Sequence, residues 1–177
     1  ATDLGYYTRA KQFQYISAVN ISGTLSTVAF PLFSKYQDNI PNLHKIFKRT
    51  LQYSLIFSIP VLVNLIVIAD SFILLLLTDK WSSVIIYFRL LLLIGLLYPI
   101  HELNMQILRA LNQSHLFFSL DVIKGILRLV NIFLMYQFGI VYIIIGEIII
   151  SLLSIPINTF YTYKLIIFYK LIIYYIN

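Results

Sequence analysis

Residues 82–100 read SSVIIYFRLLLLIGLLYPI. One charge, Arg89, interrupts the run. At about 1.5 Å per residue a helix of this length crosses the roughly 30 Å hydrocarbon core of a bilayer. The run shows no period of two, so it does not read as a barrel strand, and lipid leaves a single segment no other way to pair its backbone groups than as a helix. Four more stretches share the pattern: Ile16–Ser34, Leu51–Ile68, Leu116–Met135 and Ile140–Ile157. The fold class is therefore all-α transmembrane, a bundle of about five membrane-spanning helices with spans near 16–34, 51–68, 82–100, 116–135 and 140–157, and no soluble domain.

Composition agrees. Of 177 residues, 60% are apolar and 11% charged, against about 25% charged in a soluble domain. So few charges cannot cover a surface in water, and a disordered chain is excluded for the same reason. The net charge of +6 comes from 13 Lys and Arg against 7 Asp and Glu. These cations flank apolar runs, so they read as topology signals and contacts to lipid headgroups rather than to nucleic acid. There is no cysteine, hence no disulfide and no thiolate chemistry. Ala1 follows no basic leader and is expected to lie inside a longer chain.

Shorter features fit around the spans. Tyr6–Phe13 is expected to start helical before the first span. Phe72–Leu77 is too short to cross and reads as an interfacial turn of helix, while Leu165–Ile176 reads as an interfacial helix or the start of a further span. Pro60, in mid-span, predicts a kink. The expected loop Ser34–Thr50 carries Lys35, Lys45, Lys48 and Arg49, and the loop His101–His115 carries Arg109. The alternate loop Asp70–Trp81 carries Asp70, Asp79 and Lys80. Cations therefore favour one side, with Lys164 and Lys170 in the tail, and the positive-inside rule makes that side cytoplasmic.

Charges inside spans are costly and should face protein or a wet cavity. Asp121, Lys124, Arg128 and Asn131, spaced three, four and three, share one helical face. Their functional reading is a cationic stripe for a diphosphate or an acidic sugar; the structural alternative is a Lys124–Asp121 pair reaching back to the interface. Arg128 is too deep for that. Arg89 and Glu147 lie at matching depths and are expected to pair, each being otherwise a ligand contact or, for Glu147, a proton or sodium coupling site. Asn20 sits in a first span rich in Ser and Thr, which serve close packing or line a wet cavity. The run His101-Glu102-Leu103-Asn104-Met105 lacks the second histidine of a zinc motif, and no phosphate-binding glycine loop is present, so no metal, cofactor or enzymatic chemistry is expected.

The opening ATDLGYYTRAKQF, the run LFSKYQDNIPNLHKIFKRTLQYS, the loop LLLLTDKW and the stretch GLLYPIHELNMQILRALNQSHLFFSLDVIKGIL resemble the bacterial polysaccharide exporters, the O-antigen (Wzx-type) flippases of the multidrug/oligosaccharidyl-lipid/polysaccharide superfamily. The resemblance implies two lobes of about six helices around a central cavity, with this chain supplying most of the second lobe. It implies a multi-pass protein of the bacterial inner membrane that flips polyprenyl-pyrophosphate-linked oligosaccharide for surface polysaccharide biosynthesis. It also implies a partner: the missing N-terminal lobe, in the same or a neighbouring chain. Asn112 stands where a glycine is usual, and asparagine tolerates the left-handed backbone such a turn needs. Alternatives are a cation-coupled multidrug exporter of the same superfamily, which should carry acids in its cavity, a polymerase or other subunit of polysaccharide assembly, and a membrane scaffold.

Sidedness can be tested in the full-length protein. Cysteines introduced at Gln37 and Ser71 are expected to react with impermeant reagents from opposite sides of the membrane; reaction from the same side excludes the five-span arrangement.

Overall fold

The structure, a computed structural model, describes Thr2–Ile176 and the side chains of residues 3–18, 23–25 and 27–164. Helix α1 (Thr2–Gln14) passes through one π-helical turn (Tyr15–Val19) into α2 (Asn20–Lys35). After a short turn come α3 (Ile40–Val67), the short α4 (Ala69–Leu77), a 3-10 turn (Asp79–Trp81), α5 (Val84–Ala110), α6 (Ser114–Met135) and α7 (Ile140–Ile176). No strand occurs among the described residues.

Among the described residues, four helices are long and apolar enough to cross a membrane: Asp3–Lys35, Ile40–Val67, Val84–Ala110 and Ile140–Lys164. The fifth expected span, α6, is long enough at 22 residues but carries Asp121, Lys124 and Arg128. Its other faces are apolar and exposed, with Phe118, Val122, Ile126, Leu129 and Phe133 among them. In water such a surface would aggregate; in a bilayer it is what a helix shows to lipid.

Helix α5 is the hub. Fifteen of its residues are buried, against two in α6, and it touches every other long helix. At one end Phe88, Leu91 and Leu92 pack with Leu62 of α3 and Ile73 of α4. At the other, Leu103 and Ile107 pack with Phe33 of α2 and with Ile40 and Leu43 of α3. Gly95 lets the π turn approach: a Cβ there would stand 2.8 Å from the Ala18 Cβ. Without a hydrophobic force between helices in lipid, close backbone approach of this kind supplies the dispersion contact that holds them together.

Helices run further at the basic end than expected. Asn39 caps α3, its side chain accepting from the Asn42 N–H at 3.2 Å, and Pro41 occupies the first turn, where its missing N–H costs nothing. Lys45, Lys48 and Arg49, expected in a loop, thus lie on helix. Likewise α5 continues through His101–Ala110, expected as loop, and turns only at residues 111–113. There Asn112 takes a φ of 58°, the left-handed backbone foreseen for it. Helix α3 continues through Pro60, whose carbonyl accepts from the Asn64 amide at 2.8 Å. The segment 165–176 is helical and continuous with α7.

Asn131 of α6 is buried, and its amide donates to the Ile143 carbonyl of α7 at 2.9 Å. It fills the gap left by Gly146: a Cβ on that glycine would land inside the Asn131 amide. Gly146→Ala is therefore expected to destabilise the α6–α7 pair by about 1–3 kcal/mol, as overpacking does, lowering the melting temperature in detergent. Adding Asn131→Gly should recover part of the loss; a double variant no more stable than the single one excludes this packing.

Candidate functional site

Between α1–α2 on one side and α6–α7 on the other, with α5 behind, lies an open cavity of about 1030 Å³. Its walls mix apolar side chains with charged and polar ones, and the charges gather here rather than on the apolar outside, as the cost of charge in lipid requires.

Helix α6 contributes Phe117, Asp121, Lys124 and Arg128, spaced four, three and four, so one face looks inward. Asp121 and Glu102 act electrostatically on Lys124, but no ion pair forms there among the described residues. Arg128 likewise makes no salt bridge among them. Helix α7 adds Glu147, Ser151 and Ser154, and α1 adds Tyr7, Lys11 and Gln14. Lys11 donates to the Tyr7 hydroxyl at 3.3 Å and lies in the field of Glu147. Gln14 is buried and ties α1 to α5 through the Leu91 carbonyl at 2.6 Å and the Tyr98 hydroxyl at 3.3 Å.

Helix α5 supplies the back wall with Tyr98, His101, Glu102, Met105, Gln106 and Arg109. The Gln106 amide donates to Glu102 at 2.8 Å. The Arg109 guanidinium carbon sits 4.1 Å from the centre of the Phe117 ring, a stack that fixes the guanidinium plane while leaving its donors free. His101 is bound to Asn158 of α7 at 3.1 Å.

Of the residues singled out from sequence, the cavity thus collects Arg128, Lys124, Asp121 and Glu147. Two others stand elsewhere. Arg89 lies outside the cavity and pairs with Asp70 at 2.6 Å, with a further bond from its Nε to the Ile66 carbonyl at 3.3 Å. The expected Arg89–Glu147 pair does not form: the two lie at similar depth, but α5 turns Arg89 toward the α3–α4 corner, where the break at Ile68 brings Asp70 within reach. Asn131 belongs to the α6–α7 contact, not to the cavity. Asn20 lies outside the residues whose side chains are described.

Sequence reasoning missed Tyr7, Lys11, Gln14, Tyr98, His101, Glu102, Gln106 and Arg109. A signal existed: Tyr98, Glu102, Gln106 and Arg109 recur at four, four and three, a helical face, had the helix not been ended at Ile100. The lining is also less one-sided than a cationic stripe. Four cations (Lys11, Arg109, Lys124, Arg128) face three carboxylates (Glu102, Asp121, Glu147).

Comparison with known proteins bears on what this wall belongs to. Residues 1–86 match a family described as polysaccharide biosynthesis protein. The lipopolysaccharide biosynthesis protein WzxC of Escherichia coli is 28% identical over 123 residues, covering 70% of this chain and 25% of the relative. The teichuronic acid biosynthesis protein TuaB of Bacillus subtilis is 28% identical over 129 residues, 73% of this chain and 26% of the relative. The chain thus spans about a quarter of the length of the curated relatives it matches. No solved structure matches. The chain, an all-helical bundle with an apolar outside and a charged inner wall, is thus similar over about 70% of its length to membrane polysaccharide biosynthesis proteins, WzxC among them.

Proposed function

We propose that the chain is most of the second lobe of a flippase that moves polyprenyl-diphosphate-linked oligosaccharide across the bacterial plasma membrane. The supporting observation is the α6 stripe: Lys124 and Arg128 face open polar space without a salt bridge, in a helix whose other faces are apolar. Leaving a guanidinium uncommitted at this depth is expensive unless a ligand or water completes it. A diphosphate has oxygens to match its planar fork. The aromatic faces of Tyr7, Tyr98 and Phe117 offer surfaces on which sugar rings can lie. The cavity is one wall of a larger chamber, closed by a first lobe in the same or a neighbouring chain. In this reading the two lobes rock, the headgroup crosses inside the chamber, and the lipid tail stays in the bilayer. The basic end, with Lys45, Lys48, Arg49 and Arg109, faces the cytoplasm.

A second reading is favoured by the three carboxylates. An exporter of cationic drugs needs acids in its cavity, and Glu102, Asp121 and Glu147 are there. The two readings differ in which charges matter.

In a strain lacking its own flippase, carrying the full-length parent, Arg128→Ala is expected to reduce surface glycan display to background while the protein still accumulates in the membrane. Arg128→Lys should give intermediate display, since a point charge replaces a fork. Parental display by Arg128→Ala overturns the proposal. Drug efflux that is lost in Glu147→Gln and kept in Arg128→Ala establishes the second reading instead.

A further inference from the structure

One buried contact beside the cavity has capacities the ion pairs do not. His101 of α5 and Asn158 of α7 meet at 3.1 Å between the histidine Nδ1 and the amide Nδ2. Asn158 is fully buried. In this arrangement the amide donates to Nδ1, so the ring is neutral with its proton on Nε2. Both partners are then left incomplete. The buried Nε2 has no hydrogen-bond partner, and neither has the Asn158 Oδ1. The Ser151 backbone carbonyl, about two turns from Asn158 on α7, lies beside the ring but too loosely placed to count as bonded. Turning the Asn158 amide over would present Oδ1 to Nδ1. An Oδ1 in that place needs a proton on Nδ1, and with Nε2–H facing the Ser151 carbonyl the ring would carry two N–H groups and a positive charge. The leftover donor and the leftover acceptor are thus the ones a charged ring would use.

We infer that the His101–Asn158 contact is a proton-sensitive clasp between α5 and α7, neutral with the amide in one orientation and charged with the amide turned. Uptake of one proton from solvent through the open cavity is the only chemical change. Its surroundings connect it to the cavity. Lys124 and Arg128 of α6 and Glu102 of its own helix act electrostatically on the ring. The turns of α7 packed on it carry Ser151, Ser154 and Asn158, none of which ionises, and Glu147 lies one turn beyond. An anion that occupies Lys124 and Arg128 removes two positive charges from beside the ring and favours its charged form. This last step rests on the diphosphate reading of the cavity; by linkage, anion binding and proton uptake then strengthen each other.

The test uses the full-length protein in lipid nanodiscs with 15N-labelled histidine, titrated from about pH 8 down to about pH 3, a window that extends well below the usual midpoint of histidine. The ring signal absent in His101→Gln is His101. It is expected to pass from a neutral Nε2–H ring with a hydrogen-bonded Nδ1 to a doubly protonated ring, and in Asn158→Leu the midpoint should move and the Nδ1 bond signature vanish. Inorganic pyrophosphate, as the probe anion, should raise the midpoint by about one pH unit or more, a tenfold shift in proton affinity. A His101 ring that stays in one state throughout overturns the clasp, as does a titration unchanged in Asn158→Leu. If the ring titrates with Asn158 as described but pyrophosphate leaves the midpoint in place, the clasp stands and the diphosphate reading of the cavity is what falls.

Discussion

An ionised side chain on a membrane helix has to find protein or water, because hydrocarbon offers it nothing. This constraint arranges the whole bundle. The charged face of α6 has to turn inward, and once it does, its remaining faces are left for lipid. α7 has to lie close beside it, and the Asn131–Gly146 contact sets that spacing. The central position of α5 has the same origin. It is the one long helix that buries apolar residues along most of its length, so it can stand between the lipid-facing layers and carry the cavity's back wall. Arg89, the one charge of its apolar run, meets the same requirement by a different route and leaves the core at the α3–α4 corner for Asp70.

The charges collected inside do not cancel in place. Salt bridges would have been the cheapest way to satisfy four cations and three carboxylates, yet among the described residues the only one formed is Arg89–Asp70, outside the cavity. The inner groups instead sit at distances over which they feel one another without bonding. A wall of this kind can exchange partners at little cost, which the proposed handling of a charged headgroup would need. Tightly closed pairs would have to be broken each time.

The fold was legible because lipid makes apolar length a direct report of span length. Each of the five apolar stretches lies within a long helix of the bundle, to within two residues at its ends. Helix ends were not legible at the basic side. Polar residues after Ile100 and before Leu51 looked like loop, whereas His101, Glu102, Gln106 and Arg109 are polar because they face a cavity. Polarity in a membrane bundle reports environment, and a loop and a wet wall share the same one. Pairing was the other failure. Depth can be counted along a sequence, but the direction a residue faces relative to a neighbouring helix depends on packing. Arg89 and Glu147 agree in the first and differ in the second. Asn131 shows the same limit on a smaller scale: by count it lies near the edge of the stripe, and the close approach of α7 at Ile143 and Gly146 takes it up instead.

The π turn at Tyr15–Val19 has a consequence for how this first long helix can vary. A π turn accommodates one residue more than the α-helix it interrupts, which amounts to about 100° of phase between the helix before it and the helix after it. With that offset, Tyr7, Lys11 and Gln14 before the turn and Gly23, Thr27 and Phe30 after it look into the same space. In uninterrupted helix the two groups would lie on nearly opposite sides. A single-residue deletion between Phe13 and Asn20 would thus absorb the extra residue and leave a regular helix with both groups still turned to the cavity. Closing the π turn without losing a residue would instead rotate the α2 wall toward the bilayer, so the chain's tolerance of change here is set by phase rather than by helix stability.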